Sequence, residues 1–507
     1  MIVERAAKAK PANGSAILVP LAAVANERAK GTVGKEIEPR LSSLRIRGVD
    51  GKNCSGIATT CLAASALWWM LASNSFGQEP AEELPEEVEA PEPPSDLGSG
   101  LLSGPRWSPQ PLTGDWFGAR SWLAERGLTI GINLVDTYQG VVEGGRDRDW
   151  DNGGSFYIES QFNTEQAGLW PGGFLDFRAE KRYGSFPNDE AGTLPAVNMV
   201  GLFPAPEEDS PVISKLMATQ FVAPWLGFFV GRFDTLDGDT NNLLSGRGRT
   251  GFLDPQLAFS PNSVLTTPYV LNGVGSIVVT PNPFMERPAT LSLVFADPLV
   301  DPTESGLDSD FFDEQYYALD WRFPTFFFGM PGSQSITYNY NTKEFLRLDN
   351  LTEQFITQTR SSDGGSGVIA YNFHQYVYVE PGQDKESIGF DADKERLQGV
   401  GVFGRVGYAD ADVNPLEWTF ALGLAGRGII PHRDDDTIGI GYYYGLVSDN
   451  VSDISGALSN DYWGLEAYYN VSVTPWLHIT PNLQVTDPFL AGIDTTYVLG
   501  GRAKVDF

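Results

Sequence analysis

A chain of 507 residues with 42 % apolar and 20 % charged side chains can bury a large core or close a large barrel, and it is not a disordered polymer. Its net charge of −30 makes nucleic acid a poor partner, and cysteine confined to Cys54 and Cys61 excludes disulfides and thiolate metal sites from the body of the chain. High glycine (56) and aromatic (12 %) content without a long apolar run favours many strands over long helices.

Residues 57–72 (IATTCLAASALWWMLA) are apolar, follow Arg45, Arg47 and Lys52, and precede small residues at 73–77. Basic, apolar, small is the order of a secretory signal, and the stretch falls short of the ~20 residues that a spanning helix needs. Residues 1–78 are therefore expected to be a signal region with an amino-terminal extension, cleaved near Gly77. Cys61 precedes most of the apolar stretch, where a lipoprotein cysteine would follow it. Cleavage takes ten of the 35 Lys/Arg and five of the 65 Asp/Glu, leaving 25 basic and 60 acidic residues, net −35. Residues 79–96 (EPAEELPEEVEAPEPPSD) have no apolar period, so 79–111 read as an acidic, Pro-rich linker.

In residues 112–127 (LTGDWFGARSWLAERG), Asp115 can cap a helix, Trp116, Ala119 and Leu123 share a face, and Gly127 can end it. From Leu128 onward the period is two, with turn signals at 143–145, 151–154 and 171–173. Residues 112–507 thus read as one all-β domain with a short amino-terminal helix.

Several strands can be phased. Leu175, Phe177 and Ala179 oppose Asp176, Arg178, Glu180 and Arg182. Tyr317, Leu319, Trp321 and Phe323 oppose Tyr316, Ala318, Asp320 and Arg322. Leu465, Ala467, Tyr469, Val471 and Val473 oppose Glu466, Tyr468 and Asn470, and Ile438, Ile440, Tyr442, Tyr444 and Leu446 form another apolar stripe. At the carboxy end Tyr497, Leu499, Gly501, Ala503, Val505 and Phe507 oppose Val498, Gly500, Arg502, Lys504 and Asp506. A β-sandwich and a membrane barrel both fit this period, with opposite faces in water. The signal segment, the terminal Phe507, the missing cysteines and aromatics near strand ends (Trp418, Tyr442, Tyr443, Tyr444, Trp463, Trp476) favour a transmembrane antiparallel β-barrel. The length after Leu128 accommodates on the order of 14 to 18 membrane strands around an aqueous channel.

Three segments resemble the carbohydrate-selective porin family, the OprB-like outer-membrane channels. They are LTGDWFGARSWLAERGLTI (112–130), GRVGYADADVNPLEWTFALGLAGRGIIPHRDDDTIGIGYYYGL (404–446) and LEAYYNVSVTPWLHITPNLQVTD (465–487). In the second, the 410–415 turn, the Gly-rich strand and the 433–436 turn stand in family order. In the third, Glu466, Tyr468, Tyr469, residues 474–477 and Pro481 resemble the penultimate hairpin. The resemblance implies a 16-stranded barrel that lets sugars diffuse passively across the bacterial outer membrane, within its lipids. The terminal Phe507 resembles the signal read by the barrel-assembly machinery. The acidic tail and the middle loops depart from the family.

A diffusion channel needs groups that replace water around the solute yet release it. Sugar hydroxyls donate and accept, which suits Arg opposite Asp or Glu. The lumen-facing sets Arg178 with Asp176 and Glu180, Arg232 with Asp234, Asp320 with Arg322, and Arg405 are candidates for the path. The same charges can equally satisfy one another across the wall. The long segment 234–269 is expected to fold into the lumen and set the constriction, with Arg247 and Arg249 facing the path and Phe252 or Phe259 as a stacking surface. Deleting residues 246–251 is expected to raise conductance.

His374, His432 and His478 lack zinc-ligand spacing. Asp237, Asp239 and Asn241 imitate the start of a calcium loop, but Asn242 stands at the sixth position, where Gly belongs, and Gly248 at the twelfth, where Glu belongs. No nucleophile elbow, phosphate loop or dinucleotide fingerprint occurs, so no catalysis, metal or cofactor is expected. The readings carried forward are a sugar channel, a channel of other or broad selectivity, an outer-membrane barrel enzyme and a secreted glycan-binding β-sandwich.

Overall fold

The computed structural model describes residues 110–507 apart from 194–195, 203–210, 239–240, 242, 244–247, 350–353, 355–360, 384–396, 452–460 and 491. The expected signal region, nearly all of the linker, both cysteines and Arg247 lie outside the described residues.

Sixteen strands close into one antiparallel barrel. In chain order they are β1 (Leu128–Glu143), β2 (Trp150–Asn163), β3 (Gly173–Gly184), β4 (Val212–Ala223), β5 (Leu226–Asp234), β6 (Val270–Thr280), β7 (Ala289–Asp297) and β8 (Tyr316–Phe327), then β9 (Met330–Leu346), β10 (Ser362–Val379), β11 (Gly399–Ala409), β12 (Leu416–Arg427), β13 (Thr437–Val447), β14 (Tyr462–Thr474), β15 (Leu477–Asp487) and β16 (Thr496–Asp506). Each pairs with its sequence neighbours, and β16 closes on β1 with Val505 opposite Leu134 and Leu499 opposite Gly140. Closure leaves no edge strand, which is what lets strands cross a membrane. No described helix is long and apolar enough to do so.

The wall is inverted relative to a soluble sandwich. Leu175, Val230, Leu319, Leu422, Ile440 and Leu499 are exposed on one face, while Asn133, Thr137, Arg178, Glu466, Gln484 and Arg502 are buried on the other. The phases read for β3, β13, β14 and β16 hold in this burial, and that of β8 holds except at Phe323, which is buried against Phe284 and Trp321. Polar side chains can be buried because the interior supplies partners for them, and lipid accepts the apolar face without cost.

The two-residue turns at 224–225, 328–329 and 475–476 lie at the end that holds both termini, and the longest connections lie at the other. Short periplasmic turns and long outer loops are the arrangement of outer-membrane barrels.

The amino-terminal helix is shorter than the sequence suggests. A 3-10 turn, Trp116–Gly118, precedes α1 (Ala119–Ala124), because Phe117 (φ 60°) and Gly118 (φ 92°) take left-handed conformations between them. Asp115 still caps, its Oδ1 accepting the Ser121 N–H at 2.7 Å. No residue of α1 is buried; the helix is a latch on the closing seam. Arg120 donates to the Phe507 and Ile130 carbonyls (2.7 and 3.3 Å), and the Leu112 N–H donates to the Asp506 carbonyl (2.8 Å).

Candidate functional site: a lumen filled by two connections

Two outer connections enter the barrel. The one between β3 and β4 carries α2 (Asn188–Ala191) and the fully buried Asn198. Asn198 Nδ2 donates to Thr137 Oγ1 (3.2 Å) and Gln139 Oε1 (2.9 Å) on β1, and Gln484 on β15 donates to the Val197 carbonyl (2.9 Å).

The one between β5 and β6 is the expected constriction segment, and it does fold inward. It carries α3 (Pro255–Ala258) and α4 (Pro261–Thr266), each with a proline in the first turn. Asp254 caps α3 by accepting the Gln256 N–H at 2.9 Å. The two connections meet where the Met199 N–H donates to the Leu253 carbonyl at 2.9 Å.

On one side the segment is clipped to β2–β5 by buried ions. Arg178 pairs with Asp234 and Asp237 at 3.0 Å and with Glu159 at 3.5 Å. Lys215 reaches Asp237 at 3.2 Å, and Arg249 reaches Glu159 at 2.9 Å with its guanidinium 3.9 Å above the Tyr157 ring. The groupings read from sequence are thus redistributed. Asp176 accepts from Gln161 (3.0 Å), and Glu180 accepts from the Tyr269 hydroxyl (2.8 Å).

Arg232 is a correction. It alternates with exposed Phe228 and Val230 and stands opposite exposed Leu216, which places it on the outer face at the rim. There it donates to the Asp301, Glu304 and Gly306 carbonyls of the β7–β8 connection, at 2.6 to 2.9 Å, and is not a lumen partner of Asp234.

On the far side the same segment is held by β13, β14 and β16. Glu466 is fully buried and accepts the Leu253 and Asp254 N–H groups, both at 2.7 Å, and a third bond from Asn482 Nδ2. Arg502 donates to the Gly248 and Gly251 carbonyls at 2.6 and 2.9 Å. Burial, with the Glu466 carboxylate beside it, pushes the Asp254 carboxyl well above the usual range.

Phe252 and Phe259 are both buried, and Phe252 packs edge-on against Phe403 and Tyr468, so neither offers an open stacking surface. Glycines on the inner face of β13 make this packing possible. A Cβ at Gly439 would meet Phe252 at 2.9 Å, and one at Gly441 would meet Leu257 at 2.8 Å.

The same segment touches β8–β10 toward the outer end, where Asn341 Nδ2 donates to the Thr266 carbonyl (2.8 Å) and the Thr266 and Thr267 hydroxyls lie 3.1 Å from those of Ser366 and Tyr316, but the middle of β8 and β9 is less covered. On β8 and β9 Asp320 pairs with Arg322 and accepts the Thr337 hydroxyl at 2.6 Å. Asp320, Ser333, Ser335, Thr337 and Asn372 keep partial exposure, whereas Arg322 and Arg405 are buried. Asp237, part of the imitated calcium loop, is engaged by Arg178 and Lys215, and Asn241 donates to Asn372 Oδ1 at 2.8 Å; Asp239 and Asn242 lie outside the described residues.

Sequence reasoning passed over Glu159, Lys215, Asp237, Glu466 and Arg502 as functional groups. An inward phase combined with charge would have flagged Glu159, Glu466 and Arg502. Nothing local identifies their partners, which come from the connections.

Residues 308–507 match the family described as carbohydrate-selective porin, OprB family. No curated protein matches the chain. Among solved structures, the high-pH structure of Pseudomonas putida OprB has a TM-score of 0.67 at 18 % identity, covering 80 % of this chain and 99 % of that one. The low-pH structure of the same protein has a TM-score of 0.48 at 14 % identity with the same coverage. The in-vitro folded, trimer form of Vibrio cholerae OmpT has 0.42 at 8 % identity, covering 75 % and 99 %. At these identities the first likeness carries the barrel fold and nothing finer.

Proposed function

We propose that the chain, whose residues 308–507 match the carbohydrate-selective porin family OprB, is a non-enzymatic channel of the outer membrane and that the β5–β6 connection sets its constriction. The observation that carries the proposal is the double anchoring of that connection, by Arg249 to Glu159 on β2 and by Leu253 and Asp254 to Glu466 on β14. A segment tied at both ends across a lumen narrows it by its own volume. Asp176, Arg178, Glu180, Asp234 and Arg249 frame the narrowed part through buried pairs, which hold shape more than they offer open ligands. Asp320 keeps partial exposure toward the space that remains, with Arg322 paired to it and Arg405 buried two strands away from Arg322's neighbour Ser335. Passage is passive, because a weak polar lining replaces hydration without retaining the solute.

The exposed apolar outer wall suits outer-membrane lipid. The proposal extends to Phe507 as the residue read by the assembly machinery: it lies at the end of β16 with its N–H bonded to the Ile132 carbonyl at 2.9 Å. Deleting Phe507 should lower the amount of heat-modifiable barrel in the membrane, and unchanged assembly would remove the assignment.

The channel reading is tested by solute influx into liposomes containing the refolded protein. Mono-, di- and trisaccharides are compared with uncharged non-sugar solutes of matched size. Faster sugar entry is expected; entry set by size alone would reduce the protein to a general porin, and no entry through a folded barrel would end the reading.

A further inference from the structure

The geometry points to a sugar-recognition strip on one side of the lumen, built from Asp320, Arg322, Ser335, Thr337 and Asn372, so that solute follows an off-centre path along β8–β10. The inference rests on the sugar-channel reading above and says where in the lumen selectivity is decided.

Inward side chains on the filled side are buried, Thr137, Glu159, Arg178, Glu466, Gln484 and Arg502 among them. Asp320, Ser335, Thr337 and Asn372 face the same interior with partial exposure. Both connections are anchored on β1, β2 and β14–β16, and the β5–β6 connection also touches β8–β10, through Thr267 to Tyr316, Thr266 to Asn341 and Ser366, and Asn241 to Asn372. The partly exposed Asp320, Ser335 and Thr337 lie nearer the two-residue-turn end of the same strands, and there the off-centre path runs.

The strip has the chemistry of a sugar surface. Residues directly opposite on neighbouring strands share a face about 5 Å apart. One row runs Arg322, Ser335, Asn372 and Arg405, and the row beside it runs Ser292, Asp320, Thr337 and Ala370. The first is mostly donors, and the second places the Asp320 carboxylate and the Thr337 hydroxyl over the small Ala370. A pyranose presents alternating donor and acceptor hydroxyls at a similar spacing around its rim. Arg322 and Asp320 together can bind a vicinal diol, the guanidinium donating to one oxygen while the carboxylate accepts from the other. Their mutual pairing presets both groups when no solute is present. Small side chains on the same rows leave room for the ring.

The test uses the full chain with Cys54 and Cys61 changed to serine, in planar bilayers, with heat-modifiable migration as proof of folding. Ser335→Cys and Asn372→Cys treated with a charged thiol reagent should lose about half or more of their open-channel current, as expected for a group added to a constricted aqueous path. Thr137→Cys and Gln484→Cys should change little. Equal loss on both sides, or loss confined to the latter pair, overturns the off-centre path. For recognition, block of the ion current by glucose is titrated in wild type, D320N and T337V. Roughly tenfold weaker block is expected in D320N, the effect of one lost charge-assisted hydrogen bond, and about threefold in T337V, which loses a neutral one. Wild-type block that persists unaltered in D320N and T337V sinks the strip and leaves the sugar channel standing. Wild-type channels that neither pass nor are blocked by sugars sink the channel reading itself.

Discussion

Replacing Glu466 with alanine should release the inner segment while leaving the barrel closed. The carboxylate accepts the N–H groups of Leu253 and Asp254 at 2.7 Å each, and Asn482 donates a third bond. Hydrogen bonds to a charged group contribute about 1.5–3 kcal/mol each, and every buried N–H left unpaired costs about 1–3 kcal/mol. Because these effects are not additive, the expected loss of docking free energy is on the order of 3–5 kcal/mol, as for other broken buried charge contacts. Ladder bonds of β14 to β13 and β15 do not involve the side chain, so heat-modifiable migration should persist. Single-channel recording should show a higher mean conductance and more open-channel noise in E466A, with E466Q between it and wild type. A folded E466A channel with wild-type conductance and noise would refute the anchoring argument. The same contact predicts a pH dependence. Asp254 has its carboxyl raised while docked and returns toward about 3.9 when released. The docked form therefore binds more protons, so docking is fully supported below about pH 4 and weakens as pH rises toward the docked value. Noise should grow with pH, and D254N should flatten the trend.

Gly441→Val should expel α3, since its Cβ would meet Leu257 at 2.8 Å and overpacking costs about 1–3 kcal/mol; conductance rises if the steric reading is right and stays put if the helix accommodates it. Phe252→Ala removes a fully buried ring from between Phe403 and Tyr468 and should cost about 3–5 kcal/mol of docking, read as noise in a barrel that still folds. Arg232→Ala should free the β7–β8 connection to proteolysis without altering sugar entry, because its partners Asp301, Glu304 and Gly306 lie outside the lumen; slowed sugar entry would return Arg232 to the path. In the β12–β13 turn, burial raises the Asp436 carboxyl but hydrogen bonds from Arg433, Tyr469 and the Ser472 N–H outweigh it, so its pKa falls below the usual range. Its stabilisation is present above about pH 4 and is lost as pH falls through the depressed value, so D436N should lower the thermal midpoint at pH 7 and not below pH 2.

The wall was legible because its rule is local. Alternation assigns each residue of β3, β8, β13, β14 and β16 to a face without knowledge of any neighbour, while chain length alone bounded the strand number and the family resemblance supplied sixteen. The contents of the lumen obey no such rule. Arg178 and Asp234 are two strands apart, Arg249 meets Glu159 from an inner loop, and Glu466 waits for two backbone N–H groups that carry no sequence signature. Arg232 shows the cost of reading charge as direction: its alternation with Phe228 and Val230 already placed it outside, and grouping it with Asp234 overrode that phase.

The glycines of β13 join the two kinds of information. Gly439 and Gly441 weaken a strand in isolation, and alternation sees only blanks on the inner face. Those blanks are the seats of Phe252 and Leu257, so the inner segment is encoded twice, once in its own apolar residues and once as missing side chains on the wall that receives it. The same logic applies in reverse to β8–β10. There Tyr316, Val368 and Tyr376 are buried toward the strand ends, but the inward positions between them include Asp320, Ser333, Ser335, Thr337 and Asn372, side chains that bond with water as well as with protein. A wall that seats a plug is carved out, and a wall that faces solute is hydroxylated. On that distinction, moving the plug by Gly441→Val should enlarge the channel without changing glucose block, whereas T337V should change glucose block without enlarging the channel.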